Sequence, residues 1–366
     1  MDSSAASPSP DDSAPLLPSR NAQTPVLPRR SGGVARWFLR VIALSALGIA
    51  LTLFLGLMGL GGLLSVGSDD SIHEQYHSLA HHGVDKVAVI LLEGTILDGD
   101  GFVKKQIDHI RKDEGVKAVV LRVNSPGGTV SGSDYLYHHL KKLVDDRKLP
   151  LVVSMGGIAA SGGYYVSMAV GDTPESIFAE PTTWTGSIGV VIPHYNVAGL
   201  MEKLQVEEDS VKSHRLKQMG SPTRKMTEEE RLIFQGLVDD SFGRFKDIVK
   251  AGRPAFRGDE QALVKAATGQ VFTTRQALAN GLIDKEGFVE EAIDRAIALA
   301  KLDKEQTKVV KYKRTGGLLD LFLLTAQSKS APRHGASELA SLLELASPRA
   351  YYLCTWLPPL AASRND

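Results

Sequence analysis

The chain has one cysteine, Cys354, among its 366 residues. No intramolecular disulfide can form, and a metal site built from several cysteines is excluded. There is no excess of charge of either sign, since Lys plus Arg and Asp plus Glu both number 42. With no dense basic block in the main domain, that neutrality gives no basis for nucleic-acid binding. Neither a P-loop nor a dinucleotide fingerprint is present, so no nucleotide cofactor is expected. The G-x-S-x-G elbow of α/β-hydrolases is missing too. One further absence is local: no charged residue falls between Val41 and Val66.

A helix over that uncharged run, at about 1.5 Å per residue, exceeds the roughly 30 Å hydrocarbon core of a bilayer, so residues 37–66 are expected to form a membrane anchor. Arg29, Arg30, Arg36 and Arg40 precede the run and Asp69, Asp70 and Glu74 follow it. The positive-inside rule then sets the N-terminus in the cytoplasm and the rest of the chain across the membrane. Residues 1–36, rich in Ser, Pro, Ala and Asp up to Gly33, are expected to be a disordered cytoplasmic tail. Residues 67–85 are read as a polar linker. It holds His73, His77, His81 and His82, without the H-E-x-x-H pattern of a metalloprotease, and no metal is expected.

From Lys86 onward, strands alternate with helices. Strands are expected at Val87–Leu92, Ala118–Val123, Leu151–Val153, Ser176–Ala179 and Ile188–Ile192. Helices are expected at Phe102–Lys112, Asp134–Asp145, Tyr164–Val170 and Asn196–Leu204. That alternation implies an α/β fold with a mainly parallel, buried sheet. Thr227, with Glu230 three residues on, opens a long amphipathic helix to Val249 with a capping box. Further on, the apolar Gly317–Leu324 is too short to span a bilayer.

The stretch Leu151–Val170 organises the chain. A short apolar run meets the pair Gly156–Gly157, small residues follow, and a buried helix begins near Tyr164. Ser161 thus falls at a strand-to-helix turn, where unpaired N–H groups favour developing negative charge. It is either an N-cap or a nucleophile. Upstream, Ser125-Pro126-Gly127-Gly128 breaks a strand with two glycines, either an ordinary turn or an oxyanion hole, since glycines let N–H groups approach a substrate closely. Gly162, directly after the serine, could add another such donor. No histidine arrangement marks a triad. A lysine could act as the base instead, with Lys203, Lys212, Lys217 and Lys225 as candidates, and spacing does not choose between Lys212 and Lys217.

Four motifs in one succession carry a resemblance: S-P-G-G at 125–128, A-S-G-G-Y-Y at 160–165, T-G-S-I-G-V at 185–190, and V-K-S-x-x-x-K-x-x-x-S-P at 211–222. Over residues 86–312 the chain resembles the signal peptide peptidases of the SppA type, in their short, single-repeat form, which assembles from several subunits. The resemblance implies a Clp protease/crotonase-like fold of repeated strand-strand-helix units and a Ser/Lys-dyad serine peptidase that needs no cofactor. It puts the nucleophile at Ser161, the base at Lys217, a base-orienting serine at Ser187, and the oxyanion hole at Gly127, Gly128 and Gly162. Extended peptides, remnant signal peptides among them, are the implied substrates, bound outside the cytoplasmic membrane by a homo-oligomer. The alternatives are an acyl-CoA enzyme of the crotonase kind and a non-catalytic membrane scaffold of the same fold. The end of the chain, residues 313–366, includes S-P-R-A-Y-Y-L at 347–353, which resembles the end of family members, and then continues to Asp366. That extra length suggests that the tail occupies a binding groove.

Overall fold

Uninterrupted Val, Ile, Leu and Ala runs build a sheet whose strands are buried on both faces, the pattern parallel strands require when helices cover them from either side. In a computed structural model of the protein, Trp37, Ser45 and residues 72–314 and 350–353 are described. The chain divides into two units, Met1–Val66 and Gly67–Asp366. In the first, Trp37 and Ser45 are helical. The expected anchor otherwise lies outside the described residues, as do Gly317–Leu324 and the chain beyond Leu353. Among the described residues no helix is long and apolar enough to cross a membrane.

In chain order the second unit runs β1 (Ile72–Leu79), β2 (Asp85–Glu93), α1 (Phe102–Lys112), β3 (Val116–Ser125), β4 (Gly127–Thr129), α2 (Val130–Arg147), β5 (Leu151–Ala160) and α3 (Gly162–Ser167). It continues with β6 (Ile177–Ala179), β7 (Trp184–Gly186), α4 (Ala198–Lys203), α5 (Glu228–Gly252), α6 (Glu260–Ala266), β8 (Val271–Thr273), α7 (Thr274–Ala279), β9 (Lys285–Glu286), α8 (Val289–Ala300), β10 (Thr307–Arg314) and β11 (Tyr351–Leu353). The main sheet follows the order β1-β10-β2-β3-β5-β6-β9, with β7 also on β5 and β8 on β7. From β10 to β9 all pairs are parallel, and β1 and β8 add antiparallel edges. This is the expected mixed α/β fold with a mostly parallel sheet.

Alternation of side chains along the strands divides the core in two. Val87, Val89, Val120 and Val152 face α8 through Ile293, Ala296 and Ile297. Ala88, Ile90, Leu121 and Val153 face the opposite layer, with Ile107 of α1, Leu140 of α2, Tyr165 of α3 and Phe245 of α5. Helix α5 starts at the expected capping box: Thr227 Oγ1 accepts from Glu230 N, and Thr227 N donates to Glu230.

Three expectations change. The stretch expected as a polar linker contains β1, which pairs antiparallel along the edge of β10, and Glu74 reaches from it to both Lys86 (2.6 Å) and Lys308 (2.7 Å). The third strand does not stop at Val153. It runs through Gly156 and Gly157 to Ala160, and the glycine pair forms an irregularity where the β3 register shifts between Val123 and Ser125. Beyond it, β5 exchanges its neighbour β6 for β7. The stretch expected as a strand at Ile188–Ile192 makes one isolated bridge, from Val191 to Tyr351.

Candidate active site

The rebuilt course of β5 decides where its serine stands. Ala160 pairs with Gly186 of β7, Ser161 N donates to Gly186 O (2.8 Å), and the backbone then turns sharply at Ser161 with φ 53° and ψ −113°. A positive φ is costly for a side-chain-bearing residue and is characteristic of functional turns. Helix α3 starts at the next residue, and Tyr165 N donates back to Ser161 O. Ser161 is only 1% exposed, and its buried Oγ has no hydrogen-bond partner among the described residues. It is therefore not the side-chain N-cap its position would allow, and no side-chain cap bond forms.

The other turn, at Ser125–Thr129, folds onto the same point. Gly127 takes φ +101°, and a Cβ there would collide with Tyr352 O while lying 2.7 Å from Gly162 N and 3.1 Å from Ser161 Cβ. A Cβ at Gly128 would strike the backbone of Ile96. Only glycines permit this approach. The Gly127 N–H, however, donates to Ser125 Oγ (3.1 Å), which itself donates to Gly94 O (2.6 Å). Gly127 therefore supplies space rather than a free donor. Its carbonyl accepts from Ile96 N (2.9 Å).

Ser187 follows Gly186 directly, is buried at 6% exposure, and also has a positive φ, 51°. Its N–H donates to Gln270 O (2.7 Å), which ties this turn to the residue before β8. Ser161, Ser187, Gly127, Gly128 and Gly162 are thus assembled by adjacent strand ends.

Lys217 is not part of that assembly. It lies in the short 3-10 turn Arg215–Gln218, exposed, with no hydrogen bond to Ser161. The turn is anchored away from the serine: His214 Nδ1 accepts from Leu216 N (3.2 Å), Arg215 pairs with Glu229, and Arg224 Nη2 donates to Gln218 O (2.9 Å). Arg224 in turn pairs with Glu230, whose carboxyl that guanidinium holds down at about 2. Lys212 is engaged with Gln218.

The sequence suggests a groove for the tail without placing that groove in the fold. Strand β11 pairs antiparallel with β4, Tyr352 facing Gly128, while Tyr351 exchanges two hydrogen bonds with Val191 (2.9 and 3.0 Å). Residues 350–353 thus lie between β4 and Val191, against the serine turn. A three-residue strand carries too little periodicity to announce such a pairing; its signal was the S-P-R-A-Y-Y-L likeness alone.

The model of peptidase family S49 matches residues 144–303. A protein of Enterococcus faecium provisionally named signal peptide peptidase SppA is 36% identical over 240 residues, 62% of this chain and 67% of that protein. A provisionally named protease of Synechocystis is 36% identical over 224 residues, 61% of this chain and 78% of that protein. Protease 4 of Haemophilus influenzae is 32% identical over 292 residues, 76% of this chain and 46% of that protein. These relatives are named as peptidases, which sets aside the acyl-CoA and scaffold alternatives.

Proposed function

The chain belongs to peptidase family S49 and is a serine peptidase of the SppA type, and we propose that it cleaves extended peptides, remnant signal peptides among them, through an acyl-enzyme on Ser161. The observation that carries the proposal is the buried Ser161 Oγ, which has no hydrogen-bond partner among the described residues, at a strained turn where Tyr352 O, Gly162 N and Ser161 Cβ surround the position a Cβ on Gly127 would take.

In this mechanism Lys217, as the neutral amine, takes the Ser161 proton. A desolvated site favours that form of a lysine. Oγ attacks the scissile carbonyl carbon, and the N–H groups of Gly128 and Gly162 hold the resulting oxyanion. The intermediate collapses by expelling the amine, which leaves with the proton from the lysine. Water then opens the ester, and Ser187 keeps the lysine oriented through both steps. Because Lys217 is exposed and unbonded to Ser161, it reaches the serine either by movement of its own segment or from a second copy in a homo-oligomer. Peptide bound between β4 and Val191 follows the path of residues 350–353 and adds backbone hydrogen bonds on both sides.

The uncharged run 41–66, with arginines before it and carboxylates after it, supports a single-pass anchor that puts the peptidase domain on the extracytoplasmic side of the membrane. A domain placed there faces peptides near the outer membrane surface. The test is hydrolysis of a fluorogenic peptide and of a signal peptide by the full chain, compared with Ser161→Ala and Lys217→Ala. Loss of cleavage in both variants, with fold and assembly retained, supports the dyad. Full activity in Ser161→Ala overturns the mechanism.

A further inference from the structure

Strand β5 loses its regular neighbours just before it delivers Ser161. It pairs with β3 through Val123 and Met155 and again through Ser125 and Ala159, so Asn124 alone stands opposite the three residues Gly156 to Ile158. On the other side β6 stops at Ala179, paired with Met155, and β7 begins opposite Ile158. A strand that leaves both ladders over the same residues has little in its own backbone to fix the direction in which it resumes. Side chains close the gap. Asn124 Oδ1 accepts from Ile158 N (3.3 Å), Thr183 Oγ1 donates to Gly156 O (2.7 Å), and Thr185 Oγ1 donates to Ala159 O (2.7 Å).

One cation spans the gap. Arg122 and Ser154 follow Val120 and Val152 by two residues and share their face of the sheet. Arg122 Nη1 donates to Ser154 Oγ (2.9 Å), while Nη2 reaches across β5 to the carboxylate of Glu180, the residue after β6. The guanidinium crosses at Gly156, where a Cβ would lie 3.1 Å from Nη2 and 3.3 Å from Cζ. Glycine leaves the room that this crossing needs. Glu180 opens the turn into β7: its N–H donates to Met155 O (3.2 Å), and its carbonyl accepts from Thr183 N (3.0 Å) and Thr274 Oγ1 (2.5 Å). Both side chains of the ion pair are largely buried. A planar fork holds two acceptors in fixed directions, which an ammonium on a flexible stem does not.

We infer that the bridge from Arg122 to Glu180 is the positioning device that sets Ser161 against Ser187. It ties β3 to the turn between β6 and β7 across the β5 bulge, and so fixes the strand that carries one serine relative to the strand that carries the other. Arg122 and Glu180 act through β5 and β7, as positioning residues rather than catalytic ones. The inference rests on the peptidase reading above and names residues that align that same site.

The test is steady-state hydrolysis of a fluorogenic peptide by the full chain carrying Arg122→Lys, Glu180→Ala or Glu180→Gln, with rates expressed per serine labelled at completion by a fluorophosphonate. A misaligned serine lowers kcat by about ten- to a hundredfold in Arg122→Lys and Glu180→Ala. KM stays within about twofold, because β4 and Val191 build the peptide path. Glu180→Gln keeps an oxygen for the fork and loses less than Glu180→Ala. A pair that only stabilises the fold lowers the melting temperature and the yield of labelled sites but leaves kcat per site parental. Parental kcat in both Arg122→Lys and Glu180→Ala therefore overturns the inference. If Glu180→Ala does not fold, Arg122→Lys, which keeps the charge and the stem, decides alone. Absence of cleavage by the parent strikes the peptidase reading instead, and the bridge is then judged by hydrogen exchange. Faster exchange of the Ser161 and Ser187 amides in Arg122→Lys, at an unchanged melting temperature, supports it, and equal exchange overturns it.

Discussion

Ser161 and Ser187 stand one residue beyond the same rung of the sheet. Ala160 of β5 pairs with Gly186 of β7, Ser161 N donates to Gly186 O, and the chain then turns through positive φ at both serines, 53° and 51°. Parallel neighbours that end together deliver two hydroxyl-bearing turns to one end of the sheet. If Ser187 orients a lysine there, Ser187→Ala lowers kcat by about ten- to a hundredfold, the range of a hydrogen bond to a charged group. Thermal stability should change little, and a steady-state assay beside a melting curve checks both.

The base is tested by the pair of lysines that spacing leaves open. Lys217→Ala should lower kcat by roughly 10² to 10⁴, the usual worth of a positioned general base, while Lys212→Ala keeps near-parental activity. Mixing Ser161→Ala with Lys217→Ala subunits separates the two routes by which Lys217 reaches the serine. Recovered activity means that a second copy supplies the lysine, and its absence means that the lysine's own segment closes.

Gly128 is confined by backbone rather than by a movable side chain. A methyl there meets Ile96 O and its carbonyl carbon, so Gly128→Ala costs about 1–3 kcal/mol as an overpacked site. It also shifts an oxyanion donor, with kcat falling roughly 10²-fold or more. Chemical denaturation and single-turnover kinetics resolve the two effects.

The tail gives a prediction of opposite sign. Residues 350–353 fill the path proposed for substrate, so ending the chain at Ser347 should raise kcat/KM for short peptides. It should also lower stability by about 1.5–3 kcal/mol, from the lost burial of Tyr352. Unchanged activity and assembly in the truncated chain would mean that the tail does not compete for the groove.

Acid should release the lysine segment late. Arg224 chiefly, with the Thr227 N–H, holds the Glu230 carboxyl at about 2 against an ordinary 4.5. The group's pKa is depressed on folding, so its contribution is complete above 4.5 and is lost as pH falls toward 2. Because Arg224 also donates to Gln218 O, residues 205–226 should resist acid protease until pH nears 2. Glu230→Gln should make them susceptible at pH 5 as well. Equal susceptibility of parent and variant at pH 5 would show that this pair does not anchor the segment.

The parts of this molecule legible in sequence are those with local causes. The apolar runs of β2 and β3, the capping box of α5 and the glycine pair at 127–128 each declare themselves over a few residues. What stayed hidden depends on partners far away in the chain. Ile72–Leu79 reads as linker until Lys86 and Lys308 close on Glu74. The pair Gly156–Gly157 reads as a strand end because a bulge and a stop share the same residues. Gly127 reads as a donor until Ser125 Oγ is seen to take its N–H. No local pattern could have set Tyr352 against Gly128, more than two hundred residues upstream. Lys217 is the converse case: motif likeness singles it out, while the fold leaves it exposed.

The central claim is that Ser161 is the nucleophile, and the most direct measurement is covalent labelling of the full chain with a fluorophosphonate, mapped by mass spectrometry. The account predicts one adduct, on Ser161, formed in step with loss of peptide hydrolysis and absent from Ser161→Ala. An adduct on another residue, with Ser161→Ala still hydrolysing peptides, would contradict it.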